Sequence, residues 1–253
     1  MGCRGWTRLA LVGAALSVGA CVAGGPSSRT STPLHDLRAA SPRYVFPLTG
    51  FGGYQWSGRV TEIGSSWRVP RIDAHSAPGT AATWVGAQSH ATNQFIQVGV
   101  FERCVSPATI IYRAFWSDAA LQYYPQWIGN VNAGDLVTAS LVQGRGGWTA
   151  TFTDASAGEA FAKAVAYGAG TSFTTGEWLQ EDPIPSATAT AVGPYPNMAR
   201  VNFQRLQVAG GVPSLAFLTR LTLTTAGGLV LVPTGVRHDA FTFSARGALT
   251  RGL

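Results

Sequence analysis

The sequence predicts an all-β fold, an antiparallel β-sandwich, on three observations. From Tyr54 onward, short runs rich in Val, Thr, Phe, Tyr and Trp recur, each broken by Gly, Pro or Asn. No stretch of about twelve residues carries an unambiguous amphipathic helix. The runs also lack the helix-length spacing of βαβ units, which argues against Rossmann and barrel enzymes. No repeat of fixed period is present.

The expected strands follow in chain order. Residues 55–61 carry Trp56 and Val60, 81–87 carry Trp84 and Val85, and 94–101 set Phe95 and Phe101 around Ile96, Val98 and Val100. The run 109–116 is Ile-, Phe- and Trp-rich, and 136–142 and 148–153 alternate Thr or Ser with apolar residues. Further strands are expected over 172–179, 199–208, 217–225, 229–232 and 241–244. The alanine-rich stretch 155–167 fits either a helix or a strand. Its alternation of Phe161, Lys163, Val165 and Tyr167 against alanines favours the strand.

Composition narrows the chemistry. Hydrophobic residues are 46% of 253, enough for a sizeable core, and charged residues only 12%. There are 18 Lys+Arg, 12 Asp+Glu and 4 His, a net charge of +6. The arginines are scattered singly, so no nucleic-acid partner is expected. His35, His75, His90 and His238 are dispersed and no HExxH occurs, so zinc hydrolysis is not expected. The G-x-S-x-G elbow, the P-loop and the dinucleotide fingerprint are all absent.

The chain divides into three parts. Residues 1–20 read as a signal peptide: Arg4 and Arg8 precede an apolar run from Leu9 to Ala20 that is too short to span a bilayer comfortably. Val18-Gly19-Ala20-Cys21 resembles the lipobox of bacterial lipoproteins, in which Cys21 becomes a lipidated N-terminus anchored to a membrane. An ordinary signal peptide with an incidental Cys21 is the alternative, and both readings place the mature protein outside the cytoplasm. Residues 21–43, rich in Gly, Pro, Ser and Thr, read as a flexible tether. Residues 44–253 form one domain, expected to be monomeric. Cys3 and Cys21 belong to the targeting region, so Cys104 is left without an intrachain partner and reads as a small buried hydrophobe.

Several segments then agree in series. Trp84-Val85-Gly86-Ala87 precedes Gln94-Phe95-Ile96-Gln97-Val98-Gly99-Val100. Tyr123-Tyr124-Pro125, Asn132-Ala133-Gly134-Asp135 and Gly176-Glu177-Trp178-Leu179-Gln180-Glu181-Asp182 follow, then 194–203, from Pro194 to Phe203. In this order they resemble the glutamic peptidases, the eqolisin or scytalidopepsin family, over about 150 residues from Trp56 to Ala209. The resemblance implies a lectin-like sandwich of two large bent antiparallel sheets. It also implies cleavage of protein or peptide substrates at acidic pH without metal or cofactor. By position, Gln97 falls on the family's catalytic glutamine and Glu177 on its catalytic glutamate.

The residues themselves can be read beside that. Strand alternation puts Gln97 with Phe95, Gly99 and Phe101, opposite Ile96, Val98 and Val100. It puts Glu177 with Thr175, Leu179 and Glu181, and turns Trp178 toward the core. Gly99 leaves room for a backbone to approach. An ionised Glu177 can take a proton from an attacking water, and a free glutamate, with a pKa of about 4.3, stays ionised in mild acid. The Gln97 amide can donate to the developing oxyanion or hold the water. Glu181 is the rival carboxylate, expected as a supporting or substrate-contact group. Trp84, Tyr123 and Tyr124 are expected as core or cleft-wall aromatics, and Asp135 as a turn residue.

The chain departs from the family pattern in two acidic positions: Gln88 and Phe101 stand where the family has aspartate. The expectation is therefore altered specificity. A non-catalytic sandwich that binds peptide or carbohydrate in the same groove is the second function class.

Overall fold

The computed structural model describes residues 46–89, 91–166, 173–183, 194–225 and 227–246. The expected leader and tether, with Arg4, Arg8, Cys21 and His35, lie outside the described residues, as does His90. The chain forms β1 (Phe46–Thr49), β2 (Phe51–Val60), β3 (Glu62–Arg68), β4 (Gly79–Ser89) and β5 (Gln94–Ser106). It continues through β6 (Thr109–Asp118), β7 (Gln126–Asn130), β8 (Leu136–Gly144), β9 (Gly147–Asp154) and β10 (Glu159–Val165). Then come β11 (Phe173–Glu181), β12 (Asn202–Val208), one turn of 3-10 helix (Leu215–Phe217), β13 (Leu218–Thr224), β14 (Val230–Pro233) and β15 (Phe241–Arg246).

One hydrogen-bonded path runs β10-β9-β8-β3-β12-β15-β14-β13-β2-β11-β4-β5-β6-β7. It folds into two layers, β10 to β12 and β13 to β7, joined through β15 and β14. All pairings on this path are antiparallel; β1 adds to β13 in parallel. This is the all-β sandwich the sequence predicts.

The main core lies between the layers. Trp67, Leu141, Trp148 and Phe152 of the first layer share it with Val85, Ile96, Val98 and Trp178 of the second. The Trp178 indole Nε1 donates to the Gly64 carbonyl across the interface at 2.9 Å, satisfying a donor that burial would otherwise strand.

The first layer follows the alternation rule. Val137, Ala139 and Leu141 of β8 are fully buried, and the residues between them turn outward. On that outer face Ser66 pairs with Thr138 at 2.8 Å and Ser140 with Thr151 at 2.6 Å. The alanine-rich stretch resolves as the strand β10, paired with β9 from Glu159 to Val165. A helix is stopped before it by a turn: Asp154 Oδ1 accepts from the Ser156 and Ala157 amides, and Gly158 takes φ 72°.

Three strands go beyond the expected set: β1, β3 and β7. In β3 the polar centre Gly64-Ser65-Ser66 hides the pattern, yet both serines are buried. Ser65 Oγ donates to the Gln204 carbonyl at 2.8 Å. β7 is a five-residue edge strand directly after Pro125.

Candidate active site

The second layer is buried on both faces. One face joins the main core; the other carries a separate cluster of Ala82, Trp84, Phe95, Phe115, Leu179 and Leu221, with Phe51, Phe101, Ala119 and Tyr123 packed against it. Register maps this second face as transverse rows, since residues directly opposite each other across a sheet share a face. One row runs Ser117, Gln97, Gly86, Glu177, Gln55, Thr219 across β6, β5, β4, β11, β2 and β13. A neighbouring row runs Phe115, Gly99, Trp84, Leu179, Gly53. Beyond it lie Arg113, Phe101, Ala82, Glu181 and Phe51.

Gln97 and Glu177 therefore stand in one row, two strands apart, with Gly86 between them. Two strand spacings separate their Cα atoms by about 9.5 Å, a span that a glutamine and a glutamate can close to the width of a water molecule. Gly86 has a packing reason as well: a Cβ there would lie 2.7 Å from Trp84 Cζ3 and 3.1 Å from Phe95 Cε2. At Gly99 a Cβ would lie 2.1 Å from the Thr83 carbonyl oxygen, so the backbone of β4 does approach the glycine closely.

Gln97 is fully buried, and neither Oε1 nor Nε2 has a hydrogen-bond partner. Ser117 Oγ beside it is buried and unpartnered too. An unmade hydrogen bond costs about 1–3 kcal/mol, so orphaned polar groups in one place mark a site shaped for something other than stability. Glu177 is held differently: its Oε1 accepts from Gln55 Nε2 at 2.7 Å. Burial raises its pKa to about 7, against the lowering effect of that bond. The sequence expectation of a base ionised in mild acid rests on an ordinary glutamate, and desolvation moves Glu177 away from it.

Glu181 is buried, and its Oε2 accepts from Trp84 Nε1 at 2.8 Å. Burial, with the Asp182 and Glu177 charges, raises it to about 8. Asp182 is raised to about 8 by burial, and neither of its carboxyl oxygens has a partner. On the opposite face of the layer, burial lifts Glu102 to about 8. Thr83 Oγ1 stands 2.7 Å from Glu102 Oε1 and 3.0 Å from Gln180 Oε1. Its one hydroxyl proton serves one of these oxygens well. Both contacts are good hydrogen bonds when Glu102 is protonated and donates to Thr83, leaving Thr83 to donate to Gln180.

Tyr123 reaches the site face, its ring centroid 5.9 Å from that of Phe95. It gets there through a tight turn in which Gln122 and Tyr123 both take left-handed backbone angles, φ 52° and 62°. Tyr124 is half-buried and does not pack on the second cluster. Asp135 closes a turn, accepting from the Asn132 amide at 2.6 Å. Cys104 is buried, its Sγ 3.5 Å from the Ser76 carbonyl. No group of three or more His, Cys, Asp or Glu among the described residues could hold a metal ion. Sequence reasoning missed Gln55 and Ser117. Only strand register brings them beside Glu177 and Gln97, and no local pattern carries it.

A family model described as the Peptidase A4 family matches residues 49–226. No curated protein sequence matches. The structure is similar to that of scytalido-glutamic peptidase with a peptide-based transition state analog, at a TM-score of 0.63 and 18% identity, covering 77% of this chain and 97% of that one. It is also similar to SCP-B, a member of the eqolisin family of peptidases, in a complex with the tripeptide Ala-Ile-His. There the TM-score is 0.59 and the identity 18%, covering 77% of this chain and 96% of the other. At these identities the likeness is one of fold.

Proposed function

The chain belongs to the Peptidase A4 family, and from that premise we propose that it is an exported glutamic-type endopeptidase acting on proteins and peptides from weak acid up to neutrality. The observation that carries the reading is the transverse row in which an unpartnered amide, Gln97, and a buried carboxyl, Glu177, flank a glycine. In the reaction, water attacks the scissile carbonyl carbon while ionised Glu177 takes its proton. The Gln97 N–H donates to the oxyanion as it forms. The C–N bond then breaks as protonated Glu177 returns the proton to the leaving amine, and the carboxylate is restored.

This base must lose its proton first. With Glu177 near 7, about one molecule in a hundred is ionised at pH 5, and the rate rises with pH toward neutrality. Glu181, held by Trp84, supports the site, and Tyr123 walls it on the Phe95 side. Phe101, where the resemblance expects aspartate, takes an acidic group out of the row that carries Arg113 and Glu181. Arg4, Arg8 and the lipobox-like segment ending in Cys21 support export, with the mature protein either anchored to a membrane through a lipidated Cys21 or secreted.

Gln88 and Phe101, which stand where the family has aspartate, favour a second reading, a peptide- or carbohydrate-binding module without catalysis. Cleavage of a denatured protein from pH 2 to 8 separates the two. Catalysis predicts cleavage by the wild type and loss in Glu177→Gln and Gln97→Ala. Undiminished cleavage by both variants would discard the mechanism, and no cleavage at any pH would favour the binding module.

A further inference from the structure

We infer that Gln55 is a positioning residue for Glu177, fixing which carboxylate oxygen is free to take the proton. The inference deepens the peptidase reading and rests on it. Gln55 stands directly opposite Glu177 on β2, on the side away from Gly86 and Gln97. Its Nε2 donates to Glu177 Oε1 at 2.7 Å. A carboxylate oxygen that already accepts from an N–H is the poorer proton acceptor, so the proton goes to Oε2. The amide thus assigns the two oxygens different tasks: Oε1 for anchorage, Oε2 for chemistry.

The choice of an amide matters electrically. The row meets Glu177 with Gln55, Gly86, Gln97 and Thr219 from β2, β4, β5 and β13, and with Ser117 from β6, none of them charged. The charged and titratable groups on this face are Glu181, on its own strand, Tyr123, from the turn after β6, and Arg113 of β6, two rows from Glu177; Asp182 follows Glu181 directly in the chain. No cation stands in the Glu177 row itself. The Gln55 bond is the one interaction that favours the ionised form against burial. A lysine in its place would hold the carboxylate ionised and make it a weak base. A neutral amide stabilises the anion and leaves it basic, and it holds the same orientation at every pH because it does not titrate.

The test compares wild type, Gln55→Met and Glu177→Gln in the full chain. Glutamate labelled with 13C at the carboxyl reports the Glu177 titration by NMR, with Glu177→Gln assigning its resonance. The kcat/KM profile from pH 3 to 8 on a fluorogenic peptide reports its use. In Gln55→Met the Glu177 midpoint and the acid limb should both rise by about one pH unit. At pH 5 kcat/KM should fall about tenfold with KM nearly unchanged. A Gln55→Met protein of lower activity but unchanged midpoint and unchanged limb overturns the inference while leaving Glu177 as base. Full activity in Glu177→Gln overturns Glu177 as the base and the inference with it, while leaving the chain a peptidase. In an inactive wild type the NMR midpoint still decides whether Gln55 holds the carboxylate. Should Gln55→Met fail to fold, Gln55→Asn keeps the amide but withdraws it by one methylene, and about half the shift is expected; no shift there overturns the inference.

Discussion

The strands β8 and β9 and the strands β4 and β11 differ in one respect. In the first pair, buried residues alternate with outward-facing Thr and Ser. In the second, β4 is buried at ten of its eleven positions and β11 at eight of nine. An antiparallel sheet needs one dry face to fold, and the other can meet water. The first layer does this. The second keeps a dry outer face as well, and that face carries polar groups without partners. Burial on both sides, with an orphaned amide and a desolvated carboxyl on the second side, is the arrangement that the proposed chemistry calls on.

The contrast is open to attack at several points, beginning with the largest effect. Glu177→Gln should lower kcat/KM on the order of a thousandfold, measured on a peptide substrate at pH 6. Gln97→Ala should lower it on the order of a hundredfold in the same assay. Gly99→Ala tests the tight floor of the face: its Cβ would meet the Thr83 carbonyl, and denaturant unfolding should show a loss on the order of 3 kcal/mol.

The next prediction concerns pH. Glu102, Glu181 and Asp182 are raised to about 8 and Glu177 to about 7, from unfolded values of about 4 to 4.5. The folded state thus binds more protons than the unfolded chain throughout that interval. Their stabilising effect is complete below about pH 4 and is lost as pH climbs through 7 and 8. The melting temperature should fall by roughly 5 °C or more between pH 4 and pH 9. A melting temperature that rises over that range would contradict the protonated Glu102–Thr83–Gln180 chain. If Glu177 is the base proposed above, it must ionise to act while its neighbours stay protonated to hold the layer, and activity should peak near neutrality, between about pH 7 and 8. The smallest effect belongs to the wet face. Ser140→Ala removes its bond to Thr151 and should cost about 0.5 kcal/mol by denaturant unfolding, with kcat/KM unchanged.

Most strands are legible from the sequence because Val, Thr and aromatic runs between Gly and Pro need no tertiary knowledge. The face assignment along β5 and β11 is legible for the same reason. Alternation alone sends Ile96, Val98 and Trp178 to the main core, and Phe95 and Leu179 to the other face. The strand β3 is not legible, because Ser65 and Ser66 are satisfied by Gln204 and Thr138, residues distant in the chain. Gln55 is hidden for a stronger reason. Its partner Glu177 lies 122 residues away, and only the order of strands across the sheet makes them neighbours. Burial is equally hidden, so the elevated pKa of Glu177 could not be foreseen from its motif.

Gly86 has a further consequence. In a sheet, the separation between groups in one row comes only in whole strand spacings of about 4.8 Å. One spacing would press the amide against the carboxyl, and three would leave them out of reach of a shared small molecule. The strand order makes it two, and the missing side chain at the middle position makes room for the Trp84 and Phe95 rings, which a Cβ there would meet at 2.7 and 3.1 Å. The layer therefore works as a ruler whose middle mark admits only a glycine beneath two aromatic rings. A slip of β4 by a single residue would bring Val85 or Ala87 onto that mark and turn Gly86 toward the core. The chemistry of this face is thus as sensitive to the threading of a neutral strand as to either of its polar residues.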